Sequence, residues 1–351
     1  MCRNEFIGFD FSIGASDHVS VGRDVLKRFI GVARKVVPQR NIMEILKTVH
    51  VQCSGTVGYM SVTDSYNFLT LPVKGSGNFN VCVDFKGFCD LVAGSTSDEV
   101  TLEYSDGELR MTVFGTPQGS ISTVPGEDFP PNLCRKDLGS GYAISRELGG
   151  TLSRLTSLCV DDGRFPSLSH ILVTAKDSVG FRCGGAFLMG TAGEVSREDN
   201  FVLPNVAASM LKDGGTLYRN GDHYSVTYDR MTLDGKIVSS PYPFPGLPKY
   251  VDGVDVDVQG LTSLLKALPV DCDRALLHLS PMALDAEGEI TPEEAVSDNG
   301  PVWLSRELLG KVLDLISAYP SVNVCTAGAT KATMWTAGNL SFILMPMHPK
   351  R

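Results

Sequence analysis

The sequence lacks a long apolar run, and this absence limits the kinds of protein that it can encode. No segment of the 351 residues approaches the roughly eighteen consecutive apolar residues that a membrane-spanning helix needs. Met1–Phe11 also has neither the basic start nor the apolar centre of a signal peptide. These absences predict a protein that is located in the cytoplasm and has no membrane partner.

Positive charge is also scarce, because 31 lysine and arginine residues face 40 aspartate and glutamate residues and the formal net charge is -9. Binding to phosphates needs a local excess of cations, so this balance argues against a protein that coats nucleic acid with its whole surface. The same net charge is compatible with a local stripe of basic residues. The segment from Arg23 to Arg40 contains six basic residues and one acid, whereas acids collect between Glu287 and Asp298.

Metal-binding and catalytic motifs are missing as well. The nine cysteines include no Cys-x-x-Cys pair, and no histidine stands at zinc-ligand spacing from them, which predicts reduced thiols and no metal site. The chain has no phosphate-binding loop, no Gly-x-Ser-x-Gly and no His-Glu-x-x-His. Asp285–Glu289 is only faintly like a calcium loop, since its glycine comes too early and the terminal glutamate is missing. We therefore predict no catalytic residues, no cofactor and no enzymatic activity.

What the chain does contain is an order of helices and strands that recurs three times. Apolar periodicity predicts helices at 19–37, 83–92, 145–159, 204–212, 259–268 and 305–318, with short alternating strands between them. Ser305 is the expected cap of the last helix. The repeat has a period of roughly 110 to 120 residues, which is the size of a domain. We therefore predict an α+β chain of three similar domains, 1–136, 137–248 and 249–351, each with two helices packed on antiparallel sheets.

The last strand is unusual because it is apolar at consecutive positions. Phe342–Met345 is a continuous apolar run, typical of a strand covered on both faces, and Pro346 then limits further pairing. Alternation predicts that Ile343 and Met345 lie on one face and Leu344 on the other. The residues alone favour ordinary core. The flexible thioethers are equally suited to adapt to varied apolar partners, so both interpretations stay open.

Four stretches carry a resemblance to a known family: Gly58–Asp64 (GYMSVTD), Ser122–Pro130 (STVPGEDFP), Phe244–Val251 (FPGLPKYV) and Ile343–Met347 (ILMPM). They resemble, in this order, a strand ending in Thr-Asp, a Ser-Thr-Leu-Pro-x-x-Asp-Phe-Pro segment, a Phe-Pro segment and the carboxy-terminal signature of the bacterial DNA polymerase sliding clamp, the β subunit. Where that family has Thr-Asp-Gly-His-Arg-Leu, only Gly185 and Leu188 match. This divergence suggests a bacteriophage or otherwise distant version.

The resemblance implies a DNA clamp fold and a processivity function. Such a clamp encircles double-stranded DNA without reading its sequence, tethers DNA polymerase and other replication or repair proteins, and works with a clamp loader. Three domains per chain imply that two copies form a ring, in the bacterial cytoplasm or in the infected host cell if a phage encodes the protein. The alternative is a clamp-fold interaction scaffold or regulator that does not encircle DNA.

The resemblance also assigns residues to three surfaces. Basic residues on or beside the predicted helices are expected to meet DNA phosphates, although a merely solvated helix face is equally compatible with each of them: Lys27, Arg34, Lys35, Arg40, Arg154, Lys212, Lys266 and Lys311. The expected subunit contacts are Ile121, Leu268 and Pro269.

The third surface is a pocket for a partner peptide, expected to be lined by Leu168, Cys183, Gly185, Ala186, Phe187, Leu188, Pro245, Lys249, Tyr250, Ile343 and Met345. Ala186 and Phe187 replace a His-Arg pair of the family, and Lys249 replaces an arginine. These changes remove hydrogen-bond donors and add apolar surface. The preferred peptide is therefore expected to be more hydrophobic and less acidic than the family's usual Gln-x-x-Leu-Phe type.

Overall fold

The computed structural model describes residues 17–39, 43–95, 97–134, 141–159, 170–173, 177–182, 188–193, 201–237, 253–291, 293–294 and 297–347. Contacts divide the chain into two compact units, unit 1 with Met1–Tyr142 and Gly215–Lys236, and unit 2 with Ala143–Gly214 and Ile237–Arg351. The domain boundaries predicted at 136/137 and 248/249 fall in segments outside the described residues. The division into three domains therefore stays a prediction.

Within the described ranges the chain forms six α-helices and 23 strands. The helices are α1 (Arg23–Val36), α2 (Phe85–Ala93), α3 (Arg146–Leu155), α4 (Asn205–Met210), α5 (Val258–Ala267) and α6 (Arg306–Ile316). The strands are β1 (His18–Gly22), β2 (Thr48–Ser54), β3 (Val57–Thr63), β4 (Asn67–Ser76), β5 (Asn78–Asp84), β6 (Glu99–Ser105), β7 (Glu108–Val113), β8 (Thr116–Pro125), β9 (Tyr142–Ile144), β10 (His170–Val173), β11 (Asp177–Arg182), β12 (Leu188–Gly193), β13 (Phe201–Pro204), β14 (Gly215–Asn220), β15 (His223–Tyr228), β16 (Met231–Lys236), β17 (Val254–Asp257), β18 (Arg274–Leu279), β19 (Met282–Asp285), β20 (Val302–Ser305), β21 (Ser321–Cys325), β22 (Thr333–Ala337) and β23 (Leu340–Leu344).

Helix α1 begins later than the sequence pattern predicted. The residues before it form β1, which pairs antiparallel with β6 and with the end of β4. Because the helix starts at Arg23, its buried stripe consists of Leu26, Phe29, Ile30, Ala33 and Val36. The prediction of a helix from residue 19 was wrong at this end because the valines of β1 satisfy a strand pattern as well as a helical one.

The other predicted helices are confirmed to within a few residues. Those expected at 145–159 and 204–212 each end in a 3₁₀ turn, Thr156–Leu158 and Leu211–Asp213. The predicted cap of α6 is also confirmed, since the Ser305 hydroxyl accepts a hydrogen bond from the Leu308 amide at 3.4 Å. Replacing a capping serine by alanine typically costs about 1 kcal/mol of stability.

Unit 1 is built around an antiparallel sheet. Its strands follow the order β1-β6-β7-β8-β5-β2-β3-β4, and the extra β1–β4 pairing closes this circuit. Strand β16 then pairs with the other half of β4, for example Thr232 with Thr70, and adds β15 and β14 to the same sheet. Strands distant in sequence thereby share one hydrogen-bonded sheet.

Unit 2 contains an eight-stranded sheet in the order β13-β10-β11-β12-β23-β22-β21-β17 and a three-stranded sheet in the order β19-β18-β20. The final strand β23 lies between β12 and β22, so its backbone is paired on both edges. Phe342, Ile343 and Leu344 are all buried. This confirms the prediction that both faces of the last strand are covered.

A small apolar cluster in unit 1 contains a histidine. The His50 ring stacks on Phe129 with centroids 4.5 Å apart and is hydrogen-bonded to Asn80, while Phe129 also packs edge-on against Phe68. The Asn80 carbonyl accepts the Gly126 amide at 3.1 Å, which holds the segment after β8 over the cluster. Burial lowers the pKa of the His50 imidazole from its ordinary value of 6.5, and the hydrogen bond with Asn80 opposes this shift. The folded chain therefore favours neutral His50.

A pH dependence of stability follows from the lowered pKa of His50. Below about pH 6.5 the unfolded chain binds a proton at this position while the folded chain resists doing so. The free energy of unfolding should thus fall as the pH is lowered from about 6.5 towards the folded-state pKa. Urea unfolding at a series of pH values measures this slope. His50→Gln, which keeps a hydrogen-bonding group but cannot titrate in this range, should flatten it.

Phe129→Leu is the matched control, because it keeps an apolar side chain over His50. It should lower stability at every pH and retain the slope. An unchanged slope in His50→Gln would contradict this account.

Candidate nucleic-acid interface and partner sites

Four of the eight predicted cations recur at the same place in successive helix pairs. The last turn of α1 carries Arg34 and Lys35, that of α3 carries Arg154, and that of α5 carries Lys266. All four side chains are exposed. The last turns of α2, α4 and α6 carry no basic residue. A cation at this position also interacts favourably with the helix dipole, by about 0.3 to 1 kcal/mol, so stability and phosphate binding favour the same placement.

In unit 1 the end of α1 and the start of α2 line a groove of about 510 Å³. Its lining combines the cations Arg34, Lys47 and Lys86 with the acids Asp84 and Asp90 and with the apolar side chains of Phe85 and Cys89. Burial raises the pKa of the Cys89 thiol, and the neighbouring Arg34 guanidinium opposes this rise. The groove thus brings together cations from separate elements, with two acids among them.

Unit 2 has two further grooves that contain predicted cations. Arg154 and Lys212 share one of about 510 Å³ with Arg146, along α3 and the 3₁₀ turn after α4. The other, of about 740 Å³, lies along α5 and α6 and is lined by Lys266, Lys311 and Arg306 among other residues. The structure therefore brings the predicted cations of unit 2 together in two pairs.

Some basic side chains are offset by acids. Lys311 pairs with Glu307 at 3.1 Å, one helical turn away. Arg28, on the exposed side of α1, forms an ion pair with Asp229 in the turn between β15 and β16. Lys27 is exposed on α1, and Arg40 lies outside the described residues.

Four cations in the grooves were not predicted: Lys47, Lys86, Arg146 and Arg306. The last three stand in predicted helices, so helix position would also have indicated them. Arg306 also has a role that its position in the sequence does not reveal. Its guanidinium donates hydrogen bonds to the carbonyls of Leu268, Pro269 and Val270, just beyond α5.

Most of the predicted peptide pocket falls outside the described residues, namely Leu168, Cys183, Gly185, Ala186, Phe187, Pro245, Lys249 and Tyr250. Leu188 begins β12, where its backbone is paired with Leu344.

The two tail residues of the predicted pocket differ in environment. Ile343 is only 4% exposed, whereas Met345 is 39% exposed. Beyond them, the Met347 amide donates to the Trp303 carbonyl at 2.8 Å, which ties the tail to β20. Of the two, Met345 offers a contact surface and Ile343 belongs to the core.

The predicted subunit contacts also have distinct surroundings. Ile121 is half-buried on β8, and its side chain lies close to Gly87 of α2, where an added Cβ would stand only 2.7 Å from the Ile121 Cδ1. Leu268 is buried within the chain, and Pro269 is exposed. Residues 116–122 of β8 pair with β7, while 123–125 pair with β5. Among the described strands, none pairs with the second edge of 116–122.

The part of the chain that the structure describes contains neither a metal-ligand cluster nor a membrane-spanning helix. No group of three or more His, Cys, Asp or Glu side chains there could hold a metal ion. Its cysteines are mostly buried. None of its helices combines the length and apolar character needed to cross a membrane.

The architecture is that of the DNA polymerase sliding clamps. More particularly, it is similar to the β subunit of bacterial DNA polymerase III. The Thermotoga maritima β subunit has a TM-score of 0.79 at 15% identity, over 95% of this chain and 100% of that chain. The Pseudomonas aeruginosa clamp bound to griselimycin has a TM-score of 0.71 at 17% identity, again over 95% and 100%. The Helicobacter pylori β clamp bound to a DNA ligase peptide has a TM-score of 0.69 at 13% identity, over 94% and 100%.

These likenesses confirm the clamp fold that the four short stretches implied. The low identities are consistent with a divergent sequence. No protein-family model matches the chain, and no curated protein matches it. The fold is thus recognised through backbone architecture over nearly the whole length of the chain.

The different burial of Ile343 and Met345 separates core from contact surface. Ile343→Ala should lower the free energy of unfolding by about 2 to 5 kcal/mol, because it removes buried methylene groups from a paired central strand. Met345→Ala should change it by about 1 kcal/mol or less, since this side chain is partly exposed. Urea unfolding measures both values. Equal losses in the two variants would place Met345 in the core as well and contradict the distinction.

Proposed function

We propose that the chain is a DNA polymerase processivity factor, a sliding clamp that encircles double-stranded DNA and tethers polymerase and other replication or repair proteins. The observation that carries this proposal is the shared fold, which extends over 95% of this chain and 100% of the chains of known sliding clamps. The proposed role is one of holding partners, without enzymatic activity. It would be carried out in the cytoplasm by a homodimer that a clamp loader places on DNA.

The distribution of charge suits a protein that slides. Base edges identify a sequence, whereas phosphate contacts are independent of it, so a sliding protein needs cations and no base readout. The chain supplies such cations at the ends of α1, α3 and α5, within an otherwise acidic molecule. Each phosphate contact releases counterions, which makes the affinity for DNA sensitive to salt. The excess of acids disfavours binding of DNA to the rest of the surface.

Partner binding is proposed to involve the tail. An extended peptide with apolar anchors suits an apolar groove that has few polar groups. Met345 contributes an exposed, flexible thioether beside the buried end of β23. The Helicobacter pylori neighbour is a clamp bound to a DNA ligase peptide, which supports peptide binding as the mode of recognition. The other residues of the proposed pocket are those assigned from the resemblance to the sliding-clamp family.

A second candidate function is a clamp-fold scaffold that does not encircle DNA. The ion pairs Arg28–Asp229 and Lys311–Glu307 favour it, because they offset two helix cations in a chain whose net charge is already -9. Retention on DNA separates the two functions. An encircling clamp stays on closed circular DNA after loading and slides off when the circle is linearised, whereas a scaffold shows no such difference.

The groove cations should determine the salt dependence of DNA binding. Combining Arg34→Gln, Arg154→Gln and Lys266→Gln should shorten retention on circular DNA. It should also reduce the slope of log affinity against log salt concentration by about 0.9 per residue, since each loses one phosphate contact. The measurement is equilibrium DNA binding across a salt series, together with retention of loader-assembled clamps.

The matched control combines Lys74→Gln, Lys236→Gln and Lys331→Gln, three exposed lysines outside the helices. It makes the same change in net charge and should leave the slope unchanged. If both triple variants reduce the slope equally, the helix ends are not the DNA-facing surface.

A further inference from the structure

A small groove in unit 1 lies between the β3–β4 turn and the segment that follows β8. It encloses about 120 Å³ and is lined by side chains from residues 63–68 and 130–134. None of these lining residues, all of which belong to the described ranges, is charged. The groove shares no lining residue with the three grooves that contain the predicted cations, so phosphate binding does not account for it.

Two exposed apolar side chains belong to this groove. Tyr66, in the β3–β4 turn, is 67% exposed, and Leu133, after β8, is 78% exposed. The same lining includes the buried side chains of Phe68 and Cys134. Single exposed apolar residues are common on protein surfaces and need no special explanation. Here each of the two stretches that line one groove supplies an exposed apolar side chain next to buried ones, which is the composition of a contact surface.

The β3–β4 turn is held in one conformation by hydrogen bonds. The Asp64 carboxylate accepts the Tyr66 amide at 2.8 Å and the Asn67 amide at 2.6 Å. The Thr63 hydroxyl accepts the Ser65 amide at 3.0 Å. Ser65 thereby adopts φ of +79°, a conformation that residues other than glycine seldom have. Because the turn is ordered before any partner binds, a contact through Tyr66 loses little conformational freedom.

Hydrogen bonds also fix the segment after β8. The Asn132 side-chain amide donates to the carboxylate of the buried Asp234 on β16 at 2.7 Å. The Asn132 side-chain carbonyl accepts the Cys134 amide at 3.1 Å. The turn is joined to the same strand, because the Lys236 amide donates to the Tyr66 carbonyl at 3.2 Å. Both stretches are therefore anchored to one strand, and the groove is preformed.

The groove has the same place in its repeat as the peptide pocket predicted for the next one. Its five lining residues within 63–68 each lie 120 residues before a predicted pocket residue within 183–188. Pro130 follows a phenylalanine, as Pro245 does. Strand β4 begins in the groove and pairs with β16, and β12 begins at the end of the predicted pocket and pairs with β23. The pattern that predicted a peptide pocket is thus present a second time, within described residues.

The volume and the charge of the groove define what it holds. Sites for cofactors and drug-sized ligands measure about 300 to 1,000 Å³, which is far larger. An apolar cavity of about 150 Å³ holds a single benzene molecule. A volume of about 120 Å³ therefore suits one apolar side chain, while the rest of the ligand stays at the surface. A charged side chain would lose its hydration there and find no opposite charge in the lining.

From these observations we infer that the groove is a second site for partner peptides, which binds an extended, uncharged segment through one side chain of about the size of leucine. Tyr66 and Leu133 flank this anchor and exclude water from it. Each chain then offers two peptide sites with different preferences. The inference rests on the proposed function in one respect, because a protein that holds partners has a use for two such sites.

Photochemical labelling tests for this site. The probe is a blocked, uncharged octapeptide of glycine, serine and glutamine with a photoreactive leucine analogue near its centre. After irradiation with the full chain, proteolysis and mass spectrometry should locate adducts on residues 63–68 and 130–134. Tyr66→Ser combined with Leu133→Ser should reduce these adducts at least about fivefold, because it removes the apolar side chains that flank the anchor.

The matched control is Tyr59→Ser combined with Met43→Ser, which also removes one tyrosine and one aliphatic side chain. These two residues are 43% and 54% exposed and lie outside the groove. The control should leave the labelling unchanged. Both double variants should unfold at urea concentrations close to that of the unsubstituted chain, since exposed side chains contribute little to stability. An equal loss of adducts in the two double variants would overturn the inference.

A second probe tests the preference for an uncharged anchor. It carries a lysine analogue with the same photoreactive group in place of the leucine analogue. It should label the groove at least about fivefold less, because its ammonium group has no partner of opposite charge in the lining. Equal labelling by the two probes would contradict the inferred chemistry of the site.

Sedimentation determines whether a second copy of the chain occupies the groove instead. Tyr66→Ser combined with Leu133→Ser should leave the oligomeric state as it is in the unsubstituted protein. A shift towards smaller species would make the groove a contact between copies and overturn the inference.

Retention on circular DNA, measured on the same protein, separates this inference from the function on which it rests. If the protein is retained but the adducts fall outside 63–68 and 130–134, the second peptide site is wrong and the clamp function stands. If the adducts form in the groove and depend on Tyr66 and Leu133 but the protein is not retained, the peptide site stands and encircling of DNA is wrong.

Discussion

Backbone pairing between strands that are far apart in the chain is the constraint on which the rest of the structure depends. In unit 1, β16 pairs with β4 and so joins the hairpins of residues 215–236 to the sheet of the first 125 residues. In unit 2, β23 fills the position between β12 and β22. Each buried peptide group needs a partner, so these ladders determine which helices are held on the sheets and which helix ends reach solvent. The placement of the cations at the ends of α1, α3 and α5 is a consequence of that arrangement.

The apolar pattern of the sequence predicted an element correctly where local preference and tertiary packing favour the same structure. The helices α2 to α6 follow their apolar periodicity and their caps, and Ser305 is the clearest case. The pattern failed where pairing decided the outcome. The valines of β1 fit a helix as well as a strand, and short strands such as β13, β17 and β20 have too few residues for a periodic signal. These segments become strands because the backbone of a distant segment pairs with them.

In the candidate site, too, local features could be predicted from the sequence and tertiary contacts could not. Cations at helix ends could be chosen from the sequence, because a helix position is a local property. The ion pair of Arg28 could not be predicted, since Asp229 lies 201 residues beyond it in the chain. The capping role of Arg306 also depends on how α5 and α6 meet. The left-handed turn at Phe114 and Gly115, between β7 and β8, could not be predicted either, because its sequence contains no Asn or Asp.

The central position of β23 has a consequence for biosynthesis. The sheet of unit 2 has an empty place between β12 and β22 until residues 340–344 have emerged from the ribosome. During that interval two strand edges and the apolar surface beneath them are exposed in the nascent chain. Unpaired edges of this kind attract other strands, which makes incomplete chains prone to aggregation. The cell therefore has reason to protect this half of the nascent polypeptide with a chaperone while translation continues.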